Sequence, residues 1–307
     1  MRAVVFRTFG DPSVLSVEDV DVKLADAGQV LVRVEAAAVN PADLAARAGA
    51  FGPMLPPGRY VPGWDVAGVV VEVGPGVADF RVGDAVVGMS DWLVTKVGTH
   101  AEFVLLDATA LAPAPTTVPA VEAATLPANA LTAVQALDML DLRAGQVLAV
   151  TGAGGAVGGY TVELARQRGI DVVGIGSDQD KAFVTDLGAT FVPRSPDPAA
   201  AVLAAVGHGV DGLLDAAAVG IPALDAVRDG GTFVAVRPPA APAPQRDIAV
   251  RTVSVHSDAT ALRELVSMVD ADRLTLRVAD TFALEDAPAA HALLSRPGVR
   301  GRPVLLP

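Results

Sequence analysis

The sequence predicts an α/β protein in two parts: a β-rich part, and a doubly wound parallel sheet with helices on both faces. Three observations predict it. Residues 1–110 carry short β-branched runs cut by glycine and proline turns. After about residue 119, strand-like runs alternate with helical ones at the spacing of βα units. At the first strand-to-helix junction of that second part stands a glycine-rich turn, Gly152–Gly158. The 307 residues are 51% hydrophobic and 19% charged, enough to bury a large core and too long for one ordinary domain.

In chain order, Ala3–Phe6 and Gln29–Ala37 read as strands, the second alternating at Val30, Val32 and Val34. Val66–Val73 is an apolar run ended by Gly74-Pro75-Gly76. Val82-Gly83-Asp84 reads as a turn, and Ala85–Met89 and Ala101–Leu106 as strands. Pro113–Pro119 is a connector. Val121–Leu140 reads as helix, interrupted near Leu126-Pro127. Next come strand Gln146–Val150, helix Gly158–Arg168, strand Asp171–Gly176 and helix Gln179–Leu187. Strand Gly209–Asp215, helix Ile221–Val227 and strand Gly231–Val236 follow. Pro238–Pro244 reads as loop, Ile248–Val255 as strand and Leu262–Val269 as helix. The tail Arg302–Leu306 is strand-like and is expected to pair back into the first part.

The turn has glycine at 152, 155 and 158, a variant of the GxGxxG fingerprint of Rossmann dinucleotide folds. Glycine lets the chain turn sharply and approach a pyrophosphate, and helix N–H groups then face the anion. Gly152, Ala153, Gly155, Ala156, Val157 and Gly158 are the candidate phosphate contacts; a plain tight βα turn is the alternative. The second strand ends at Gly176, where an NAD enzyme commonly places a carboxylate for the ribose. Its absence, with Ser177, Lys181 and Arg194 close by, favours NADP(H). Asp178 or Asp180 as the ribose acceptor, and Lys181 as a solvated helix residue, remain open.

Composition excludes several classes. The formal net charge is −12 and no basic run stands out, so nucleic acid is not expected as a partner. There are no cysteines, which removes disulfides and thiolate chemistry and fits a reducing cytoplasm. Neither a signal-peptide core nor an apolar run of about 18 residues occurs, so no membrane span is expected.

The chain resembles the medium-chain dehydrogenase/reductase superfamily, and within it the zinc-independent quinone oxidoreductase branch that includes zeta-crystallin. The likeness is carried from end to end. It includes Ala36–Asp43, Pro62–Val70, Phe80–Val86, Ala101–Val104, Leu131–Ala133, the glycine turn, Leu187–Ala189 and Val299–Leu305. The resemblance implies a GroES-like β-rich catalytic domain at 1–125 and 258–307, and a Rossmann domain at 126–257. It implies a cleft between them for the nicotinamide, and a dimer or tetramer. Strand 248–255 is a candidate for pairing across a homodimer. The resemblance also puts Thr132, Ala216, Val236 and Arg302 near the cofactor.

Zinc-dependent relatives hold their metal through Cys and His in the two N-terminal motifs. The matching positions here are Asn40 and Trp64, followed by Asp65. An amide and an indole are not the usual zinc ligands, so no metal is expected. The histidines, His100, His208, His256 and His291, show no ligand spacing. Without a Lewis acid, oxidation of simple alcohols is disfavoured, and reduction of an electrophilic quinone or α,β-unsaturated carbonyl is favoured.

The candidate catalytic residues are Asn40, Tyr60 and Asp65. Asn40 is a donor to a carbonyl or the ribose, or else a turn-stabilising residue. Tyr60 is a proton donor, an aromatic pocket wall or a loop anchor. Asp65 is a relay or a buried acceptor. Trp64 and Trp92 line an apolar pocket or pack the core. The expected activity is NADPH-dependent reduction of a quinone or enone. A pathway-specific enoyl reductase and a non-catalytic NADP(H)-binding sensor are the alternatives.

Overall fold

The computed structural model describes residues 1–307 as two compact units, Met1–Ala128 with His256–Pro307, and Asn129–Val255.

The first unit opens with a hairpin of β1 (Arg2–Val5) and β2 (Ser16–Asp19). The long strand β3 (Gln29–Ala38) follows, then helix α1 (Pro41–Arg47). Alternating valines put Val30, Val32 and Val34 into one core with Val66, Val70, Phe80, Val86 and Leu111. Next come β4 (Asp65–Val73), β5 (Ala85–Met89), the short α2 (Trp92–Thr95), β6 (Phe103–Asp107) and β7 (Leu111–Pro113). Pro127 starts a helix rather than kinking one: α3 (Ala120–Ala123) stops, and α4 (Pro127–Leu140) begins with proline, which needs no N–H there.

The second unit is the alternating one. Its strands are β8 (Val147–Thr151), β9 (Asp171–Gly176), β10 (Thr190–Pro193), β11 (Val210–Asp215), β12 (Val227–Ala235) and β13 (Ala249–Thr252). They form one sheet in the order β10-β9-β8-β11-β12-β13, with every pair parallel. The helices between them are α5 (Ala156–Gln167), α6 (Lys181–Asp186), α7 (Pro198–Val206) and α8 (Ile221–Leu224). The order reverses on either side of β8, which makes the C-terminal ends of β8 and β11 the topological switch point.

The chain then returns through α9 (Ala259–Asp270), β14 (Val278–Ala283), α10 (Ala287–Leu294) and β15 (Arg302–Leu306). The tail strand does pair back: Val304 and Leu305 oppose Ala38 and Ala37 of β3. The sheet runs β14-β15-β3-β4-β5-β7, with β6 also on β3.

Three readings differ. The expected helix over Ile221–Val227 ends at Leu224, because Val227 is already in β12 and pairs with Val210. The strand expected over Ile248–Val255 is limited to Ala249–Thr252. Helices α1, α7 and α10 and strands β2 and β14 gave no sequence reading. They are short, and α7 is apolar nearly all round (Pro-Ala-Ala-Ala-Val-Leu-Ala-Ala-Val), which blurs a helical period.

Candidate functional site

Two clusters carry the chemistry-bearing residues, one in each unit. In the second unit the glycine turn leaves β8 and enters α5 with Gly155 as N-cap. Gly152 has φ +65°, a left-handed conformation that a side chain would strain. A Cβ at Gly158 would lie 2.2 Å from the Gly152 carbonyl oxygen, so this glycine lets the helix pack directly on the turn. The least roomy position is Gly154, outside the expected spacing. A Cβ there would stand 2.1 Å from Asp180 Oδ1.

Asp180 is therefore part of the turn. It is buried, and its Oδ2 accepts from the Ser177 N–H at 2.8 Å and the Ser177 hydroxyl at 2.7 Å. This is a capping box across the end of β9. Asp180 faces inward as a structural acceptor, and Ser177 gives its hydroxyl proton to Asp180. Lys181 and Arg194 are exposed and make no ion pair. The Arg194 N–H donates to the Gly176 carbonyl at 2.7 Å, which sets Arg194 beside the end of β9.

On the other flank, Asp215 ends β11, fully buried. It accepts from Thr151 Oγ1 at 2.6 Å, from the Val219 N–H at 3.0 Å and from the Gly220 N–H at 2.7 Å. The Ala217 N–H in turn donates to Thr151 Oγ1 at 3.0 Å. The loop carrying Ala216 is thus tied to the glycine turn, and Val236 follows β12 at the same edge, donating to the Asp215 carbonyl. Gly152–Gly158, Gly176, Ser177, Lys181, Arg194, Ala216 and Val236 accordingly gather at the C-terminal edge of one sheet. Thr132 is buried in α4, just past its first turn. A glycine turn crowded at 154 and 158, the start of α5 and two exposed cations at the end of β9 therefore share this edge.

In the first unit, Asn40 caps α1 and forms a capping box with Asp43. The Asn40 N–H donates to Asp43 Oδ2 at 2.8 Å, and the Gly63 N–H to Asp43 Oδ1 at 3.0 Å. The Asn40 side-chain amide donates to Asp65 Oδ2 at 2.5 Å, and Asp65 Oδ1 accepts from the Ala128 N–H, also at 2.5 Å. Asp43 and Asp65 are fully buried. Burial pushes each carboxyl up to about 7, against the pull of these hydrogen bonds and of the Arg302 charge. Arg302, expected near the cofactor, is buried in β15 within electrostatic reach of both aspartates.

Two further candidates have their surroundings defined. The Tyr60 hydroxyl donates to the Pro56 carbonyl at 2.5 Å and its ring packs on Phe6, the contacts of a loop anchor. Trp92 is fully buried and is core rather than pocket wall; its ring meets Trp64 edge-on at 6.1 Å. The fold also unites two histidines far apart in the chain. His100 and His291 are fully buried with ring centroids 6.3 Å apart. Burial pulls them down to about 4 and about 3. Asp43, Gly154 and Asp215 were missed as site residues, and Asp180 was read only as a possible ribose acceptor. Only the Asn40–Asp43 and Ser177–Asp180 spacings, both capping-box spacings, signalled any of them.

Comparison with known proteins matches this architecture. Residues 26–116 match the alcohol dehydrogenase GroES-like domain, and residues 187–305 match the zinc-binding dehydrogenase family. The chain is 30% identical over 264 residues to the alcohol dehydrogenase of Moraxella sp. (strain TAE123), covering 76% of each. The chain belongs to the medium-chain dehydrogenase/reductase superfamily.

Among superfamily members it falls with the zeta-crystallin-like quinone oxidoreductases. It is 39% identical over 194 residues to the quinone oxidoreductase of Rattus norvegicus, 62% of this chain and 57% of the rat protein. The match therefore spans less than two thirds of that relative. The structure of the quinone oxidoreductase from Coxiella burnetii superposes with a TM-score of 0.88 at 28% identity, covering 100% of this chain and 99% of that one. A mycobacterial structure complexed with NADPH gives 0.85 at 27% identity, covering 100% of each. The zinc of the family description does not fit this chain. No cysteine exists, Asn40 and Trp64 replace its usual ligands, and no three His, Asp or Glu side chains converge.

Proposed function

We propose that this medium-chain dehydrogenase/reductase uses NADP(H) to reduce a quinone or an α,β-unsaturated carbonyl by metal-independent hydride transfer. The observation that carries the reading is the end of β9. Gly176 leaves no carboxylate at the ribose position, Asp180 is turned inward onto Ser177, and the exposed cations there are Lys181 and Arg194. The mycobacterial relative complexed with NADPH supports the same cofactor. The rat and Coxiella relatives support the quinone class.

When bound, the cofactor supplies the hydride. The chain's own residues bind, orient and exclude. Gly152, Ala153, Gly155, Ala156, Val157 and Gly158 would hold the diphosphate, Lys181 and Arg194 the 2′-phosphate, and Ala216, Val236 and Thr132 would serve the nicotinamide half. In the first unit, Asn40 and Asp65 are the candidate polar groups for a substrate and Trp64, 8% exposed, the candidate apolar contact. We infer that the proton that completes the reduction comes from water. No helix is long and apolar enough to cross a membrane. The exposed edge of β13 is the surface for a homodimer, and the absence of cysteine is in keeping with the cytoplasm.

The test is NADPH oxidation against a panel of quinones, enals and enones, with NADPH and NADH affinities measured in parallel. Turnover with at least one class and tighter NADPH binding are expected. No turnover with any acceptor, or equal affinity for both cofactors, overturns the reading.

A further inference from the structure

The chain passes between its two units twice, and each crossing is held within the first unit by an aspartate. At the first, Ala128 is the last residue of the first unit and the second residue of α4. Its N–H is one of the helix-start donors that has no partner inside the helix. That donor goes to Asp65 Oδ1 at 2.5 Å, so Asp65 caps α4 from a distant strand. At the second, the chain re-enters at His256. The Ser257 N–H donates to Asp91 Oδ1 at 3.0 Å, and the Ser257 hydroxyl to Asp91 Oδ2 at 2.8 Å.

The two aspartates are neighbours by register. Asp65 opens β4 and pairs with Met89, the last residue of β5, two residues before Asp91. One end of one strand pair therefore holds both crossings. Trp64 and Trp92, the residues flanking these aspartates, meet edge-on at 6.1 Å and brace the same end. Asp65 has a second task at its other oxygen: Oδ2 accepts from the Asn40 side-chain amide at 2.5 Å. A single fully buried carboxylate thus fixes the orientation of Asn40 and the start of the helix that carries Thr132.

We propose that Asp65 is a positioning residue that holds the Asn40 side chain and the Ala128 N–H at the start of α4 together, with Asp91 performing the matching task at Ser257. The part of this inference that concerns turnover rests on the proposed function; the part that concerns the helix start does not. Asp65 acts through its two acceptor oxygens, and a carboxylate is not required if the same bonds are made another way.

An exchange of residues tests this. Asp65→Asn keeps one acceptor for the Ala128 N–H but turns an NH2 group toward the Asn40 NH2 group, so the pair faces donor to donor. Asn40→Asp combined with Asp65→Asn restores the bond with donor and acceptor exchanged, and aspartate at position 40 remains a good N-cap. Asp65→Ala removes both bonds. Hydrogen exchange at the Ala128 amide reads the helix start without any cofactor. It is expected to rise about tenfold or more in Asp65→Ala and to stay near wild type in Asp65→Asn and in the exchanged pair. Equal protection in Asp65→Ala overturns the capping role. With NADPH and an accepting quinone, kcat is expected to fall about tenfold or more in Asp65→Asn, whereas the exchanged pair, which lacks the Asn40 amide, is read by Tm and is expected to recover most of the stability that Asp65→Asn loses. An exchanged pair no more stable than Asp65→Asn overturns the claim that Asp65 holds Asn40. If wild type turns over no acceptor, the proposed function has failed, and the amide exchange still decides the capping claim.

Discussion

Gly154→Ala is the substitution whose cost can be worked most directly from the structure. The new methyl would stand 2.1 Å from Asp180 Oδ1 and 2.2 Å from its Cγ, where 3.4–4 Å is ordinary contact. The Asp180 carboxylate must withdraw by about 1 Å or more, since the turn cannot move away without dragging β8. Its Oδ2 holds the Ser177 N–H at 2.8 Å and the Ser177 hydroxyl at 2.7 Å, and both bonds break in that movement. Bonds to a charged acceptor contribute about 1.5–3 kcal/mol each. Ser177 is half-buried, so water restores part of this, and a net loss of about 2–4 kcal/mol is expected. The assay is urea unfolding of Gly154→Ala, Asp180→Ala and the double variant. Asp180→Ala removes both the bonds and the obstructing carboxylate, so the methyl should cost little more in that background. The coupling energy is expected at about 1–3 kcal/mol. Additive costs, with Gly154→Ala equally harmful in both backgrounds, would refute the assignment of Asp180 as the group that forbids a side chain at 154.

Lys181→Ala and Arg194→Ala are each expected to weaken NADPH binding about tenfold while leaving NADH nearly unchanged, by fluorescence titration at low salt; equal loss for both cofactors sinks the 2′-phosphate role. His291→Phe is expected to lessen the loss of stability on acidification, measured as Tm against pH. The folded values of His100 and His291, about 4 and about 3, lie below the ordinary 6.5, so their contribution is complete above pH 6.5 and is lost as pH falls through 4 and 3. Asp43 and Asp65, raised to about 7, act in the opposite sense: their contribution is complete below about pH 4 and is lost as pH rises through 7. A His291→Phe profile parallel to wild type between pH 6.5 and 4 counts against the buried-imidazole account. Tyr60→Phe should lower stability by about 1 kcal/mol through the lost Pro56 bond and leave the pH dependence of kcat unchanged; a vanished ionisation in the rate profile would restore Tyr60 as an acid. Zinc or a chelator added to the purified protein should change neither Tm nor rate, because no donor set of three ligands exists to gain or lose a metal. A Tm shift with either reagent contradicts this.

The amino-acid sequence by itself determined the two-part α/β plan, the βα turn at 152–158 and the return of the last strand. Those features depend on local periodicity, on glycine at fixed spacing and on β-branched runs, all of which are written along the chain. Short elements such as α1 and α10 were invisible because fewer than three turns leave too little period to read. Gly155 was legible from spacing, whereas the greater constraint at Gly154 came from a side chain 26 positions away. The sequence could name Asn40, Tyr60, Asp65, Trp64 and Trp92 as polar or aromatic candidates but not sort them. Burial and partners sorted them. Tyr60 faces a carbonyl, Trp92 is wholly enclosed, and Asp65 faces Asn40 on one oxygen and the start of a helix 63 residues away on the other. His100 and His291 met for the same reason. Each of these outcomes is a contact between segments distant in the chain, set by how the sheets close and which side chains the core encloses. Periodicity reports which face of its own element a residue occupies; what stands opposite that face is decided only when the chain has packed.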